Sequence, residues 1–160
     1  MVKLMLIYIK SEDSSNEDII KILQKYSDFC TLSNFSQTLY LLDSLELTTP
    51  ETVVFAARVE EKIVGVSEIR LLSETHIELK SIYILEEFRR KGVARGIIEH
   101  IVNLGRDAGY TKITVETGRD SAFDSAREFF KFFNFDECKD HENHVVNQNN
   151  ICMTRSLLTY

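Results

Sequence analysis

The chain has 160 residues, of which 44% are hydrophobic and 28% are charged, a composition typical of an ordinary folded domain. Its net charge of −6 disfavours general binding to nucleic acid, and no apolar run approaches the length of a membrane span. The chain has a single proline and therefore no proline-rich linker, and no internal repeat is evident. We therefore expect residues 1–160 to form one domain.

The first half of the chain predicts a strand, two helices and a hairpin. The apolar residues 1–10 predict a first strand; a lysine inside the run and the lack of a cleavage site argue against a signal peptide. Residues 14–18 offer helix N-cap side chains, and a helical apolar spacing follows them. A second helix is expected over residues 37–45. Residues 53–59 and 63–72 are β-rich on either side of a polar turn, which predicts a hairpin.

The second half predicts strands that alternate with helices. Residues 76–85 predict a strand with strict alternation, and the expected faces are Ile77, Leu79, Tyr83 and Leu85 on one side and Glu78, Lys80, Ile82 and Ile84 on the other. An apolar stripe over residues 97–108 predicts a helix, and residues 112–117 predict a strand. A further helix is expected to begin with a capping box of Ser121 and Asp124 and to end at a left-handed Asn134.

Two short strands, residues 135–138 and 151–157, are expected around a polar loop. The complete order is β, α, α, β, β, β, α, β, α, β, β. This order implies an α+β fold or a mixed α/β sheet.

A basic turn rich in small residues joins the strand at residues 76–85 to the next helix. It reads Arg89-Arg90-Lys91-Gly92-Val93-Ala94-Arg95-Gly96. Small residues let backbone approach a ligand closely, and the start of a helix offers unpaired N–H groups to an anion. A P-loop would need Gly-Lys followed by Ser or Thr, and a dinucleotide site would need G-x-G-x-x-G. Neither is present, so the turn predicts another kind of pyrophosphate site.

The pattern Arg89-x-x-Gly92-x-Ala94 resembles the R/Q-x-x-G-x-G/A acyl-CoA motif of the GNAT superfamily of N-acetyltransferases. The resemblance is strongest over residues 78–135 and includes the order of elements. It implies a mostly antiparallel central sheet, splayed between strands four and five and flanked by helices. It also implies that acetyl-CoA is the acyl donor and that no metal takes part.

In this family the backbone amides of the motif bind the pyrophosphate, and the preceding strand pairs with the pantetheine arm like an added strand. Carried over by position, the resemblance assigns acetyl-CoA binding to a strand segment, the basic turn and one helical residue. These residues are Ile82, Tyr83, Ile84, Arg89, Arg90, Lys91, Gly92, Val93, Ala94, Arg95, Gly96 and Phe130.

Glu78 is the residue that the resemblance implies as the catalytic base. It lies eleven positions before Arg89, the spacing at which some family members place a strand glutamate that removes a proton from the amine. The alternative is an exposed glutamate that pairs with Lys80 or with a cation on a neighbouring strand.

The segment from Ala126 to Phe135 resembles the family's A-x-x-L-Y-x-x-x-G-F helix with two departures. Phe130 replaces the tyrosine that can protonate the leaving thiolate, and Asn134 replaces a glycine. The general acid is therefore unassigned, with Tyr83 and Tyr110 as unranked candidates. Phe130 either contacts acyl-CoA or packs in the core.

Two further groups of residues could carry chemistry. Glu116-Thr117-Gly118 ends a strand where ligands gather in α/β proteins, and Asp120 or Asp124 nearby could attract an amine, although turn and cap chemistry is the simpler interpretation. Two loop histidines, His141 and His144, make a weak case for a metal without a third matched ligand.

The cysteine count points to a reducing compartment. Cys30, Cys138 and Cys152 are few, odd in number and without C-x-x-C spacing, which favours buried thiols over a disulfide scaffold. We therefore expect a cytoplasmic protein.

The leading functional hypothesis is transfer of acetyl from acetyl-CoA to a primary amine of a small molecule or peptide. The alternatives are a non-catalytic acyl-CoA-binding or protein-interaction domain and, within the enzyme class, a protein N-terminal or lysine acetyltransferase. The expected partners are acetyl-CoA and an amine acceptor, without nucleic acid or membrane. A homodimer is compatible with the resemblance, since dimers are common among GNAT proteins.

Overall fold

The computed structural model describes residues 4–33, 51–138 and 149–159. Within these ranges seven strands form one sheet in the order β1-β2-β3-β4-β5-β7-β6. The strands are β1 (Ile7–Glu12), β2 (Thr52–Val59), β3 (Lys62–Leu71), β4 (His76–Ile84), β5 (Lys112–Gly118), β6 (Asp136–Glu137) and β7 (Asn150–Ser156). The helices are α1 (Glu17–Leu32), α2 (Val93–Asp107) and α3 (Asp124–Phe132), with single 3-10 turns at Glu86–Phe88 and Ser121–Phe123.

The predicted fold class is confirmed. All neighbouring strands are antiparallel except β4 and β5, which are parallel. The first strand begins at Ile7, later than the sequence pattern suggested. The predicted helix over residues 37–45 and most of the polar loop before β7 lie outside the described residues. No helix in the described part of the chain has the length and apolarity needed to cross a membrane.

The ends of the helices follow local sequence chemistry. The Asn16 side chain caps α1 by accepting hydrogen bonds from the amides of Asp18 and Ile19, as the polar residues before this helix predicted. At the end of α3, Asn134 has φ of 65°, and the amides of Asn134 and Phe135 close a Schellman motif. The predicted capping box of Ser121 and Asp124 is wrong, since the Asp120 side chain caps the preceding 3-10 turn at Ala122.

Apolar residues cover both faces of the sheet. One face packs against α2 and α3, where Ile97, Ile98 and Phe130 are almost fully buried. The other face packs against α1 through Ile19 and Ile22. The sheet therefore lies between two layers of helix, and a cavity that passes between two strands could open to both layers.

A β-bulge in β4 overturns the predicted assignment of its faces. Glu68 pairs with Ser81 whereas Ile69 pairs with Leu79, so Lys80 is an extra residue. An extra residue reverses the alternation beyond it. As a result Ile82 and Ile84 lie on the α2 face with Ile77 and Leu79, and Tyr83 and Leu85 lie on the α1 face. Glu78 shares its face with Tyr83, not with Ile82 and Ile84.

Two of the three cysteines are paired, which corrects the expectation of free thiols. Cys138 and Cys152 form a disulfide with their Cα atoms 5.5 Å apart, and Cys30 is a free buried thiol. The pairing follows from strand register, because Cys138 directly continues the ladder between β6 and β7, and its amide donates to the Cys152 carbonyl. Spacing along the chain does not reveal this register.

Candidate active site

The parallel strands β4 and β5 separate after a short pairing, and a cavity opens where they part. Their register runs only from His76 opposite Lys112 to Leu79 opposite Val115. Beyond this point the cavity has a volume of about 660 Å³ and is lined by residues from β4, β5 and all three helices. Such a gap lets a ligand pass from one face of the sheet to the other.

The predicted pyrophosphate turn forms one mouth of this cavity. Arg90 and Gly92 have φ of 62° and 85°, and Gly92 is the residue that precedes the first turn of α2. The amides of Val93, Ala94 and Arg95 therefore lack acceptors within the helix, and they lie at the positive end of its dipole. A Cβ added at Gly92 would meet no atom within 4 Å, so the turn is open. The arrangement suits an anion.

Gly96, which the resemblance assigned to acetyl-CoA binding, already uses its amide within the helix. Its amide donates to the Gly92 carbonyl over 3.0 Å, and this first helical hydrogen bond removes it from the set of available donors. A Cβ at Gly96 would lie 3.1 Å from the Cδ1 of Ile9, so this glycine lets α2 approach β1. The available amides therefore end at Arg95.

Arg89 ties the turn to the end of β4. Its Nε donates to the Ile84 carbonyl over 3.0 Å, and its guanidinium lies 5.0 Å from the centre of the Tyr83 ring. Tyr83 and Ile84 both line the cavity, as does Ile82. The residues of this strand that were predicted to pair with pantetheine thus border the cavity, although Arg89 already uses the Ile84 carbonyl.

The bulge in β4 lies at the same wall. Lys80, the extra residue, and Ser81 both line the cavity just where β4 leaves β5. An extra residue in a bulge has its backbone displaced from the ladder, so an amide there can be directed at a ligand. Such a donor is what a thioester carbonyl needs when negative charge develops on its oxygen.

Glu78 lies in a buried ion pair rather than in the cavity wall. Its carboxylate oxygen is 2.9 Å from an Nη of Arg70, directly opposite on β3, and the two side chains are 2% and 4% exposed. Glu78 is not among the residues that line the cavity. The pairing matches the alternative of a cation on a neighbouring strand, but Glu78 is buried and not exposed as that alternative expected.

Among the described residues that line the cavity, Glu116 is the one with a carboxylate. It is near the end of β5, where β4 no longer pairs with it, and it is only 6% exposed. The Asn150 side-chain amide donates a hydrogen bond to its Oε1 from β7. The sequence predicted a strand-end turn here, but the carboxylate itself had not been singled out.

Tyr26 of α1 also lines the cavity and was missed by sequence reasoning. Burial raises its pKa well above the ordinary value, and so do the neighbouring Cys30 and the carboxylates Glu116 and Glu68. The phenol therefore remains protonated at neutral pH and can donate a hydrogen bond. The helical spacing of α1 gave no signal beyond a buried position. Of the two earlier candidates, Tyr83 lines the cavity and Tyr110 does not.

Phe130 lines the cavity and belongs to the core at the same time. It is 2% exposed, and its ring packs edge-on against Phe129 and Phe135. The position where the family places a tyrosine is therefore in the wall, as expected, but it carries no hydroxyl.

The other polar residues weighed earlier have structural partners. Asp120 caps the 3-10 turn and Asp124 pairs with Arg127, and neither lines this cavity. The loop histidines lie outside the described residues, and residues 4–33, 51–138 and 149–159 contain no cluster of potential metal ligands.

The match to known families agrees with this geometry. The acetyltransferase (GNAT) family matches residues 17–135, so the chain belongs to this family of N-acetyltransferases. The predicted family, fold and enzyme class are thereby confirmed.

Individual relatives are similar over nearly their whole length. The uncharacterized N-acetyltransferase YsnE of Bacillus subtilis is 25% identical over 94% of this chain and 99% of its own. A GNAT acetyltransferase of Elizabethkingia anophelis, solved with acetyl-CoA, has a TM-score of 0.67 at 15% identity and covers 94% of this chain and 97% of its own. The PaiA N-acetyltransferase of Thermoplasma acidophilum, solved with coenzyme A, has a TM-score of 0.71 at 12% identity, covering 95% and 99%.

Proposed function

We propose that the protein transfers an acetyl group from acetyl-CoA to a primary amine by direct attack of the amine on the thioester. The observation that carries this proposal is the junction of two features. An open turn with amide donors lies at the start of α2, and it leads into a cavity between strands that have separated. Two similar folds were solved with acetyl-CoA or coenzyme A bound, which supports the same donor here.

The donor would enter from the α2 side. Its pyrophosphate would accept hydrogen bonds from the amides of Val93, Ala94 and Arg95, with Arg90 and Lys91 adding positive charge. Its pantetheine arm would follow the unpaired edge of β4 beside Ile82, and the bulge at Lys80 would polarise the thioester carbonyl. No step in this path requires a metal.

The structure favours Glu116 over Glu78 as the proton acceptor. A base must come within hydrogen-bond reach of the amine, and Glu116 lines the cavity whereas Glu78 pairs with Arg70 outside its wall. The role predicted for Glu78 stays a testable prediction. If Glu78 were the base, Glu78→Gln would lower turnover while acetyl-CoA affinity stayed unchanged.

Tyr26 and Tyr83 line the cavity, and they are the candidates to protonate the leaving thiolate. Because Phe130 supplies none, a second candidate function is a non-catalytic acyl-CoA-binding domain. The two candidates differ in one measurable respect, since the second predicts donor binding without turnover of any amine.

The first experiment measures acetyl-CoA binding by calorimetry with the wild type and Gly92→Glu. The variant places bulk and negative charge in the turn, and we expect an affinity loss of about 100-fold or more. Gly109→Glu is a matched control, because Gly109 has φ of 88° against 85° for Gly92 and both have free space around the added Cβ. Gly109 follows the other end of α2, so the control carries the same backbone strain and charge away from the turn.

The possible results separate the proposals. Binding that only the Gly92 variant loses supports the donor site, and turnover with an amine then supports the transferase. Absence of binding to the wild type would contradict both candidate functions.

A further inference from the structure

The cavity has a second side, on the α1 face of the sheet, and its chemistry differs from that of the donor side. The three aromatic residues Tyr26, Phe29 and Phe123 line this side together with Glu116. We call this set the acceptor corner. It is formed by α1, by the 3-10 turn Ser121–Phe123 and by the end of β5.

The aromatic part of the acceptor corner is fixed by packing. The rings of Phe29 and Phe123 meet edge to face with their centres 5.1 Å apart. Phe123 also covers Gly118, where an added Cβ would collide with its ring. Gly118 and Glu116 are two residues apart on one strand and therefore face the same side of the sheet. The rings thus lie beside the carboxylate, over the same face.

Glu116 brings the negative charge to this corner. The side-chain amide of Asn150 donates a hydrogen bond to one of its carboxylate oxygens. The backbone carbonyl of Asn150 accepts a hydrogen bond of 2.9 Å from Nε of Arg119. Of the cations that line the cavity, Arg89, Arg90 and Arg95 belong to the donor turn. Lys80 on β4 lies 3.7 Å from a Glu68 oxygen, which offsets its charge. A protonated amine is therefore the group whose charge complements the corner.

We infer that the acceptor is a small primary amine with an aromatic or aliphatic body, bound with its nitrogen at Glu116 and its body between Tyr26, Phe29 and Phe123. This inference rests on the proposed acetyl transfer and specifies its substrate. A polyamine would present further charges to apolar rings, and a free amino acid would present a carboxylate beside Glu116. Within the acceptor corner neither of these additional charges would meet a group of opposite charge.

The reaction balances with the groups at hand. The ammonium gives one proton to Glu116, and the free amine nitrogen forms a bond to the thioester carbonyl carbon. The carbon–sulfur bond breaks, the coenzyme A thiolate leaves, and it is protonated to the thiol. The amide nitrogen loses its second proton, so that one ammonium and one acetyl-CoA give one amide, one thiol and one proton.

The test is an amine panel with thiol release and product mass as readouts. Phenethylamine and hexylamine represent the inferred class, and spermidine, glycine and a short peptide represent the others. We expect kcat/KM for phenethylamine to exceed that for spermidine and glycine by about 100-fold, because each of these two would bring a second charge into the corner that loses water without an oppositely charged partner there. Highest activity with spermidine, glycine or the peptide would overturn the inference and leave acetyl transfer intact. Acetyl-CoA binding without turnover of any amine, or no binding at all, would overturn both.

Two variants test the roles of the corner residues. Glu116→Gln is expected to lower kcat/KM for phenethylamine by about 100-fold, as loss of a positioned base typically does, while acetyl-CoA affinity measured by calorimetry stays within about twofold and shows that the fold survives. Glu74→Gln, in the turn between β3 and β4, is the control, since that residue is exposed and lies outside the cavity wall. Equal activity of Glu116→Gln and wild type would remove the carboxylate from the site.

Phe29→Leu provides a second, independent check that does not depend on the carboxylate. It shortens the apolar wall and is expected to raise KM for phenethylamine about tenfold, with KM for butylamine nearly unchanged. Equal effects on both amines would place the apolar body elsewhere and overturn this part of the inference.

Discussion

The two sides of the cavity are built in opposite ways. The donor side is mostly backbone, since it consists of the amides at the start of α2 and the free edge of β4. Both come from one stretch of about 16 residues. The acceptor side is made of side chains, with Tyr26 and Phe29 from α1, Glu116 from β5 and its partner Asn150 from β7. A common cofactor can be bound by a local motif, whereas recognition of a particular acceptor requires residues that only folding brings together.

The largest predicted effect concerns the ion pair beneath the acceptor side. Replacing Arg70 with methionine removes the cation opposite the Glu78 carboxylate, which is only 2% exposed. Because a buried charge then loses its ion-pair partner, we expect the unfolding free energy to fall by about 3–5 kcal/mol. The double variant with Glu78→Met should recover most of this loss. Urea unfolding followed by circular dichroism measures both. A mild effect of Arg70→Met alone would show that Glu78 is not held by this pair and would return it to consideration as the base.

The disulfide gives a second contrast between the two sides. Under oxidising conditions Cys138→Ser should lower the unfolding free energy by about 3 kcal/mol, since the bond closes a loop over a sequence separation of 14 residues. Under reducing conditions the wild type should become similar to the variant. Because β7 also carries Asn150, amine turnover should fall more than acetyl-CoA affinity. Equal stability in both redox conditions would mean that the bond does not form in solution.

Restoring the family tyrosine tests the boundary between the two sides. Phe130→Tyr places a hydroxyl in the cavity wall, and we expect kcat to rise about three- to tenfold through protonation of the thiolate. Phe133→Tyr, at the end of the same helix and also in the wall, is the matched control. No gain in Phe130→Tyr would indicate that thiolate protonation does not limit the rate, or that another donor already performs it.

The smallest effect is expected far from either side, at the pair of Glu12 and Arg58. The hydrogen bond from Arg58 holds the pKa of Glu12 below its usual value. A carboxyl group whose pKa is lower in the folded than in the unfolded state stabilises the folded protein at pH values above the unfolded-state pKa. This contribution is lost as pH falls through the folded-state pKa. Glu12→Gln should therefore cost about 0.5 kcal/mol at pH 7 and nothing at strongly acidic pH. The pH dependence of urea unfolding measures the difference, and a constant gap between the two proteins would contradict it.

The strand β4 shows where sequence reasoning succeeded and where it failed. Its place in the chain, its length and the turn after it were predicted well, because they depend on local composition. Its faces beyond Lys80 were reversed, because a bulge is selected by the partner strand and the site, not by the alternation of the strand itself. For the same reason the prediction that Glu78 shares a face with Ile82 and Ile84 was wrong.

By itself the sequence determined the family, the order of the described elements and the donor turn at residues 89–95, because each is written in contiguous residues with a local physical cause. Only the tertiary structure decided that Glu78 pairs with Arg70, that Cys138 meets Cys152 and that Glu116 joins the cavity wall with Tyr26. The residues brought together in these three cases lie 8 to 90 positions apart in the chain. Their physical reason is strand register and helix packing, which fix neighbours in space that periodicity along the chain does not specify.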